Sequence, residues 1–321
     1  MSAHYLSAPL PVSAAYRYVE ERMKEGCAIL DGGVATELDR VRRESRWNAE
    51  RPWGTWALHE AHAETLEVHR RFVNAGCNVI STNTWSILEV ARAWSDADSM
   101  ASAGMPHWTE FARSAVRLAR LAIREAGRED TCAVAFCIDG DITSDTALGT
   151  LELLESTWQS EPPDLVVLET LSTVSDEALA AVSALRDTGL PVWVSLQIGR
   201  DAMAEHEDLP ELLRALESRS VSAVLLNCIV PSELEGAVRM LSKLTELPLG
   251  VYPRLGHQGA AGWDFDTSTG PQEFATVAKR FRAEGACIVG GCCGVTAPHI
   301  QAVAEALGAP LPTHVIPADL P

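Results

Sequence analysis

Short apolar runs alternate with longer amphipathic segments along most of the chain. The runs are only four to seven residues long and are almost continuously apolar, which is typical of strands buried on both faces of a sheet. Eight strands are predicted in this way, at 27–30, 78–82, 132–138, 165–169, 192–196, 223–227, 249–252 and 287–291.

The segments between the strands repeat apolar residues at helical spacing, and several end in glycine, which is common after the last turn of a helix. Examples are 63–76, 175–189, 232–244 and 271–285. Strands that alternate with helices form a parallel sheet covered by helices. Eight such units in 321 residues predict an α/β fold of the (β/α)8 TIM barrel type rather than an open sheet.

We expect one barrel domain that spans 1–321, with residues 1–25 as a short helical lead-in. No apolar run approaches the length of a membrane span, and residues 1–25 lack the features of a signal peptide, so a cytoplasmic protein is expected. The net charge of −18 argues against nucleic acid and anionic membranes as partners, because both require a basic face. Small molecules are the expected partners, and the oligomeric state stays open.

In a TIM barrel the chemistry gathers where the strands end and the following loops begin. Each predicted strand is followed there by polar residues or cysteines, so all of them would share one mouth. In chain order they are Asp31-Gly32-Gly33, Thr82 to Trp85, Asp139 to Asp141, Glu169-Thr170, Gln197, Asn227-Cys228, Tyr252 to Arg254 and Cys292-Cys293.

Eight cysteines in a chain with no export signal argue for reduced thiols, so metal binding or catalysis is favoured over a disulfide framework. Five of them fall in apolar, strand-like runs and are predicted to be small buried hydrophobic residues. These five are Cys27, Cys77, Cys132, Cys137 and Cys287. The adjacent pair Cys292-Cys293 does not suit a disulfide, because neighbouring Cα atoms lie about 3.8 Å apart and disulfides begin near about 4.4 Å.

Cys228, Cys292 and Cys293 each come where a strand should end, and strands six and eight are close together in a closed barrel. Three thiolates with a fourth position open form the ligand set of a catalytic zinc site, since a structural zinc normally has four protein ligands. An open position suits a thiol substrate, because the metal removes the thiol proton. The surrounding glycines would supply the backbone angles that let two consecutive side chains face one metal. The pattern therefore predicts Zn2+ and alkylation of sulfur.

Four stretches carry a further signal: LDGGVATEL (30–38), FVNAGCNVISTNTW (72–85), DLVVLETL (164–171) with LLNCIVP (225–231), and VGGCCGVTAPHI (289–300). Together they resemble the homocysteine S-methyltransferase family, the zinc-dependent barrels that methylate homocysteine or selenocysteine. The resemblance implies a methyltransferase with zinc on Cys228, Cys292 and Cys293. Such an enzyme would transfer a methyl group to the thiolate of L-homocysteine and give methionine.

The resemblance also implies roles for residues that bind the amino-acid substrate. Asp31 and Glu169 would hold its ammonium group through charge-assisted hydrogen bonds. The backbone N–H groups around Gly32-Gly33 could receive its carboxylate. We count Thr82 and Asn227, which end strands two and six, among the substrate-binding candidates.

Two features depart from the pattern common in this family. After strand three many members have a Gly-Pro-containing turn, whereas this chain has Ile138 followed by Asp139-Gly140-Asp141. After strand seven many have Tyr-Pro-Asn, and here Arg254 replaces the asparagine. Both departures fall on the expected methyl-donor side, so the identity of the donor stays open, as does the preference for sulfur over selenium.

Aromatic residues near the mouth favour a cationic donor, because aromatic faces attract sulfonium and quaternary ammonium groups. Trp53 and Trp85 lie near the ends of the first two predicted strands, and Trp263 lies in the irregular stretch 257–270, an expected active-site loop. An onium donor such as S-methylmethionine or a betaine is the prediction. The alternatives are a zinc- and homocysteine-binding protein without turnover, a methyl group delivered by a partner protein, and a zinc hydrolase, which three thiolates disfavour.

Overall fold

The computed structural model describes residues 9–42, 54–95, 106–140, 142, 145–171, 175–259 and 262–311. Strands and helices alternate along these residues. The strands are β1 Ala28–Ile29, β2 Val79–Ser81, β3 Ala133–Asp139, β4 Leu165–Leu171, β5 Val192–Leu196, β6 Ala223–Asn227, β7 Leu249–Tyr252, β8 His257–Gly259, β9 Gly262–Asp264 and β10 Ile288–Val289.

The helices described cover the outside of the sheet and one end of it. They are α1 Ala14–Glu25, α2 Val34–Arg42, α3 Ala57–Glu60, α4 His62–Asn74, α5 Ile87–Ser95, α6 Trp108–Glu125, α7 Asp145–Trp158, α8 Asp176–Asp187, α9 Arg200–Glu205, α10 Leu209–Ser218, α11 Pro231–Leu234, α12 Ala237–Leu241, α13 Pro271–Ala283 and α14 Ala297–Ala306. None of these helices is long and apolar enough to span a membrane.

Eight parallel strands form one sheet in the order β1-β10-β7-β6-β5-β4-β3-β2. A parallel bridge between Leu30 and Val79 joins the two ends of this order, and the N–H of Asn78 donates to the carbonyl of Ile29 at 2.6 Å. The sheet is therefore closed into the (β/α)8 TIM barrel that the alternation of elements predicts.

Alternate residues of each strand point into the barrel, and the others face the helices. Along β3, Ala133, Ala135 and Cys137 belong to the inner cluster, whereas Val134 and Phe136 pack against the helix layer. Asp139 lies two residues beyond Cys137, so the same alternation places it on the inner face at the end of β3. Along β3 the inward residues are therefore apolar up to Cys137 and polar at the mouth.

Helix α1 closes the end of the barrel opposite the mouth. Ser13 accepts a hydrogen bond from the N–H of Tyr16 and so caps the first turn. Ala15, Tyr16 and Val19 pack among the inward residues of the strands. The indole N–H of Trp193, near the start of β5, donates to the hydroxyl of Tyr16 at 3.1 Å. Helix α1, which lies within the predicted lead-in, therefore acts as a plug that fills this end of the barrel.

Details of the predicted elements differ at two places. The stretch 232–244 was expected to be one helix, but it divides into α11 and α12 because Gly236 between them has a φ of 81°. The stretch 257–270 contains the antiparallel hairpin of β8 and β9. The glycines predicted to end helices behave as expected, since Gly76, Gly189 and Gly285 have φ values of 92°, 85° and 116°.

Replacing Tyr16 by phenylalanine tests the plug. The change leaves the buried indole N–H of Trp193 without its acceptor, so we expect the free energy of unfolding to fall by about 1–3 kcal/mol. Urea unfolding followed by circular dichroism measures it. Tyr18→Phe is the matched control, because Tyr18 is partly buried on the same helix, and it should change stability by less than about 0.5 kcal/mol. Equal stability of the two variants would contradict the plug.

Candidate active site

Three cysteines meet at the mouth of the barrel. The Sγ atoms of Cys228, Cys292 and Cys293 all lie within 4.8 Å of one another, and those of Cys292 and Cys293 are 3.9 Å apart. All three side chains are partly buried. In the part of the chain that the structure describes, this is the one group of His, Cys, Asp and Glu side chains arranged to hold a metal ion. The grouping predicted from strand ends is therefore present in the fold.

The short segment after β7 holds the backbone of all three cysteines. The carbonyl of Tyr252 accepts from the N–H of Cys228 at 3.1 Å, and that of Pro253 accepts from the N–H of Cys292 at 2.7 Å. The N–H of Leu255 donates to the carbonyl of Cys293 at 2.8 Å. Cysteines that are 64 residues apart in the chain are thus positioned by one shared strip of backbone.

The glycines next to the cysteines serve close packing more than unusual backbone angles. A Cβ at Gly290 would lie 2.6 Å from Cβ of Leu30, and one at Gly291 would lie 2.2 Å from Cγ1 of Val295. Gly294 alone of the three has a positive φ, 82°. The left-handed conformation that was expected of glycine is also found at Cys228, with a φ of 54°. Cys228, a candidate metal ligand, therefore itself adopts the unusual backbone conformation.

The three thiols do not ionise equally. Hydrogen bonds from Cys292 and Cys293 lower the pKa of Cys228 to about 4. Hydrogen bonding to Cys228 raises the pKa of the other two thiols well above the usual range. One negative charge is thus shared among three sulfurs, and only a bound cation would let all three be thiolates. The donor set fits a thiophilic metal ion such as zinc.

Asp31 lies at the end of β1, buried and held by β2. Its Oδ2 accepts from the N–H of Ser81 at 2.7 Å, and its Oδ1 accepts from the Ser81 hydroxyl at 2.8 Å. Burial raises the pKa of Asp31 to about 7, although the hydrogen bonds from Ser81 act in the opposite direction. A neutral acid at this position would gain its charge readily on contact with a cation.

Gly32 and Gly33 pack the Asp31 loop against the cysteine loop. A Cβ at Gly32 would lie 2.4 Å from the carbonyl oxygen of Val295, and one at Gly33 would lie 2.7 Å from that of Cys292. The N–H of Gly33 already donates to Val295 at 3.0 Å. Its amide is therefore committed within the protein, and the capture of a substrate carboxylate at this loop stays a prediction that falls to Gly32.

Glu169 projects from β4 and is bound by β7. The hydroxyl of Tyr252 lies 3.0 Å from its Oε1 and 2.7 Å from the Oγ of Ser195. Burial raises the pKa of Glu169 to about 8, and the negative charges of Cys228, Asp31 and Asp139 act in the same direction. The carboxyl group thus lies in a field that favours its neutral form until a cation enters.

The backbone around Glu169 is irregular. The register between β4 and β5 shifts between Leu168 and Leu171, and Thr170 has a φ of 59°. A Cβ at Gly140 would lie 2.6 Å from the carbonyl oxygen of Glu169. Asp139 is the register partner of Glu169, and its Oδ1 lies 3.4 Å from the hydroxyl of Thr170. The Asp-Gly that departs from the family pattern therefore adds a third carboxylate to the mouth.

Thr82 and Asn227 are both buried at strand ends. The Oγ1 of Thr82 accepts from the N–H of Cys137 at 3.2 Å and lies 2.6 Å from that of Thr84, so this hydroxyl is used within the barrel wall. The Oδ1 of Asn227 is buried and has no hydrogen-bond partner among the described residues. Of the two, Asn227 is the side chain that still has an acceptor to offer to a ligand, and both roles stay predictions.

The aromatic residues divide into three cases. Trp53 lies outside the described residues, as does the non-aromatic Asp141 of the turn after β3. Trp85 is 41% exposed, and its carbonyl accepts from the N–H of Asp139 at 3.0 Å, which places it at the rim beside β3. Trp263 donates its indole N–H to the carbonyl of Leu255 at 3.0 Å, and its Nε1 lies 2.9 Å from where a Cβ at Gly294 would be. Trp263 therefore packs against the cysteine loop.

Most of the cysteines predicted to be small buried hydrophobic residues are buried. Cys27, Cys77, Cys132 and Cys137 are buried, whereas Cys287 is partly exposed. Cys137 lies on the inner face of β3 beneath the mouth, and burial raises its pKa well above the usual range, so it is a neutral thiol. Its neighbourhood is the apolar floor of the site.

Two functional neighbours, Ser81 and Ser195, were missed by reasoning from strand ends, whereas Tyr252 was among the residues that end strand seven. Ser81 binds Asp31, while Ser195 and Tyr252 surround Glu169. Ser81 and Ser195 lie within predicted strands, and no pattern marked them as more than strand residues. The available signal was the alternation of inward and outward residues, because each serine occupies an inward position of its strand at the height of the mouth.

Comparisons with known proteins agree with this geometry. The family model described as Homocysteine S-methyltransferase matches residues 28–307. Homocysteine S-methyltransferase 4 of Zea mays is 27% identical over an alignment that covers 93% of this chain and 94% of that protein. Homocysteine S-methyltransferase 1 of Zea mays is 26% identical, covering 88% and 94%.

Among solved structures, the metallated homocysteine methyltransferase MmuM from Escherichia coli superposes with a TM-score of 0.67 at 22% identity. The match covers 91% of this chain and 99% of that one, so the two share the barrel fold. The family model spans most of the 321 residues, including all three clustered cysteines and both buried carboxyl groups. The chain belongs to the homocysteine S-methyltransferase family.

Proposed function

We propose that this protein is a zinc-dependent methyltransferase that moves a methyl group from an onium donor to the thiolate of L-homocysteine, giving methionine. The observation that carries the proposal is the cluster of three thiols beside two buried carboxyl groups at one barrel mouth. The thiols suit a metal, and the carboxyl groups suit the ammonium of an amino acid. Membership of the family supplies the reaction that joins these two features.

Cys228, Cys292 and Cys293 would hold the zinc ion. When bound, zinc would lower the pKa of the substrate thiol so that homocysteine is present as its thiolate at neutral pH. Three thiolate ligands keep the metal electron-rich, which favours a nucleophilic sulfur over an activated water. This preference supports alkylation rather than hydrolysis.

Asp31 and Glu169 would orient the acceptor by binding its ammonium. Their raised pKa values mean that part of the population is neutral near pH 7 to 8 in the absence of a cation. Ammonium binding lets both groups ionise, and each carboxylate then accepts a charge-assisted hydrogen bond from the ammonium. Ser81 and Tyr252 hold the two carboxyl groups in place, and fixed carboxylates would orient the bound amino acid and with it the acceptor sulfur.

The donor would enter on the side of β2 and β3. Trp85 offers an exposed indole there, and Asp139 adds a carboxylate next to Glu169. An aromatic face and a negative charge together favour a cation, such as the sulfonium of S-methylmethionine or the ammonium of a betaine. In the transfer the methyl carbon forms a bond to sulfur as its bond to the donor heteroatom breaks, and the donor leaves with that electron pair. No general base is needed in this step, so the chain contributes alignment and exclusion of water.

A methyl-transfer screen tests the proposal directly. Zinc-loaded protein is given homocysteine with S-methylmethionine, S-adenosylmethionine, glycine betaine or dimethylsulfoniopropionate, and methionine is counted. Methionine from one of these donors establishes the reaction and identifies the donor. Retained zinc and bound homocysteine without turnover on any donor would favour a binding protein or a methyl group delivered by a partner protein.

Replacing Cys292 by alanine should abolish metal retention and methyl transfer. A site with two thiols loses a direct ligand, so we expect zinc affinity to fall by more than about 100-fold, beyond the usual effect of an outer-shell change. Zinc per chain after dialysis is the measurement, with thermal unfolding to show that the barrel remains folded. Cys287→Ala is the matched control, because that thiol is also partly buried but lies outside the cluster. An active, metal-free Cys292 variant would sink the zinc assignment.

Replacing Glu169 by glutamine should weaken the binding of the product methionine and make its dissociation constant depend less on pH. The pKa of Glu169 is about 8, so the wild-type group gains its charge as pH rises from about 6 to about 8. The wild-type dissociation constant should therefore fall over this range, by at most about tenfold per pH unit for each titrating group. Methionine carries no thiol, so its binding releases no thiol proton that would add a second pH dependence.

Calorimetric titration at several pH values reads this dependence. The Glu169 variant should bind methionine at least about tenfold more weakly near pH 8. It should keep only the shallower dependence that Asp31, with a pKa of about 7, contributes below that pH. A variant with wild-type affinity throughout would remove Glu169 from the acceptor site.

Replacing Trp85 by leucine should raise the KM for the donor and leave the KM for homocysteine within about twofold. The loss of a cation–π contact corresponds to about 1–2 kcal/mol, or roughly 5- to 30-fold in the donor KM. Steady-state kinetics with each substrate varied in turn is the measurement. Trp85→Phe, which keeps an aromatic face, should recover most of the effect. An equal rise in both KM values would indicate a general disturbance of the mouth.

A further inference from the structure

Arg254 follows β7, in the place of the asparagine that the resemblance leads one to expect, and it lies against the turn that carries Cys228. Its backbone N–H donates to the carbonyl of Ile229 at 3.1 Å. Its Nε donates to the carbonyl of Cys228 at 3.1 Å, and its Nη1 donates to the carbonyl of Gly256. One side chain therefore bridges the Cys228 turn and the loop that leads into the β8–β9 hairpin.

The Cys228 turn needs such support. Its φ of 54° is left-handed, a conformation that is unfavourable for a residue other than glycine. Strained backbone of this kind persists where the surrounding contacts over-determine it. The peptide group before Cys228 is held by the carbonyl of Tyr252, and the peptide group after it is held by the guanidinium of Arg254. Removing the second contact frees the carbonyl of Cys228 and with it the direction of the thiol.

Arginine supplies two properties that asparagine lacks at this place. Its planar fork reaches two carbonyl groups at once, and its charge is permanent. A lysine keeps the charge but has no fork, so the two properties can be separated by substitution.

We propose that Arg254 is a positioning residue that clamps the left-handed turn at Cys228 to the Gly256 loop and thereby sets the three-thiol site. The inference rests on the proposed function, since the thiols are taken to hold zinc. It assigns to the departure from Tyr-Pro-Asn a role on the metal side of the mouth, whereas the sequence pattern placed it on the donor side.

The test compares Arg254→Lys and Arg254→Gln with wild type in two metal-loaded forms. The rate of zinc release to a chromophoric chelator is measured first, followed by the visible absorption spectrum of the cobalt-loaded protein, which reports ligand geometry. We expect both variants to release zinc about 10- to 100-fold faster than wild type, the range typical of outer-shell partners. Both should also shift the cobalt bands, because lysine cannot reproduce the bridge.

Arg219→Gln is the matched control, because Arg219 also bridges two groups, the Ser183 hydroxyl and the carbonyl of Ala215, away from the thiols. It should leave zinc release and the cobalt spectrum unchanged. Thermal unfolding of the metal-free proteins shows whether each variant is folded, and Arg254→Lys carries the test if the glutamine variant is not. Wild-type release rates in both Arg254 variants would overturn the inference, and so would full recovery by lysine, which would assign the effect to charge alone. Wild-type protein that holds no zinc would instead contradict the proposed function and remove the inference with it.

Discussion

Uncompensated negative charge is the constraint that organises the mouth of this barrel. Three thiols and the carboxyl groups of Asp31 and Glu169 are gathered where burial makes each ionised form costly. In the protein alone the site responds by keeping protons: one thiol ionises easily and the others do not. The proposed ligands are all cations or cation-bearing molecules, so their binding would favour the ionised forms of these groups. Binding and ionisation are thereby one process at this end of the barrel.

Backbone contacts make that crowding possible. The strip from Tyr252 to Leu255 holds every cysteine of the cluster by a main-chain hydrogen bond. Gly32 and Gly33 let the loop of Asp31 approach the cysteine loop to distances that a Cβ would forbid. Asp31 and the three cysteines therefore belong to one packed unit, in which a small shift of the Asp31 loop would move the cysteine loop.

The barrel and its cluster of three cysteines could be predicted from the sequence because both follow from simple regularities. Apolar runs marked the eight strands, and the end of each strand marked the mouth, which was enough to bring Cys228 to Cys292 and Cys293. The contacts that tune the site could not be predicted in this way. Ser81 and Ser195 are ordinary strand residues in the sequence, and they matter only through the neighbour that closure of the sheet places beside them. The left-handed turn at Cys228 was also unforeseen, because its support comes from Arg254, 26 residues further on.

Tyr16 and Trp193 fill the end of the described barrel that lies opposite the three thiols. Asp31 and Glu169 are buried in the mouth, whereas Trp85 is exposed at its rim. On the proposed function, the amino-acid part of homocysteine and that of methionine would both bind at Asp31 and Glu169. Product and acceptor would therefore compete for one binding site.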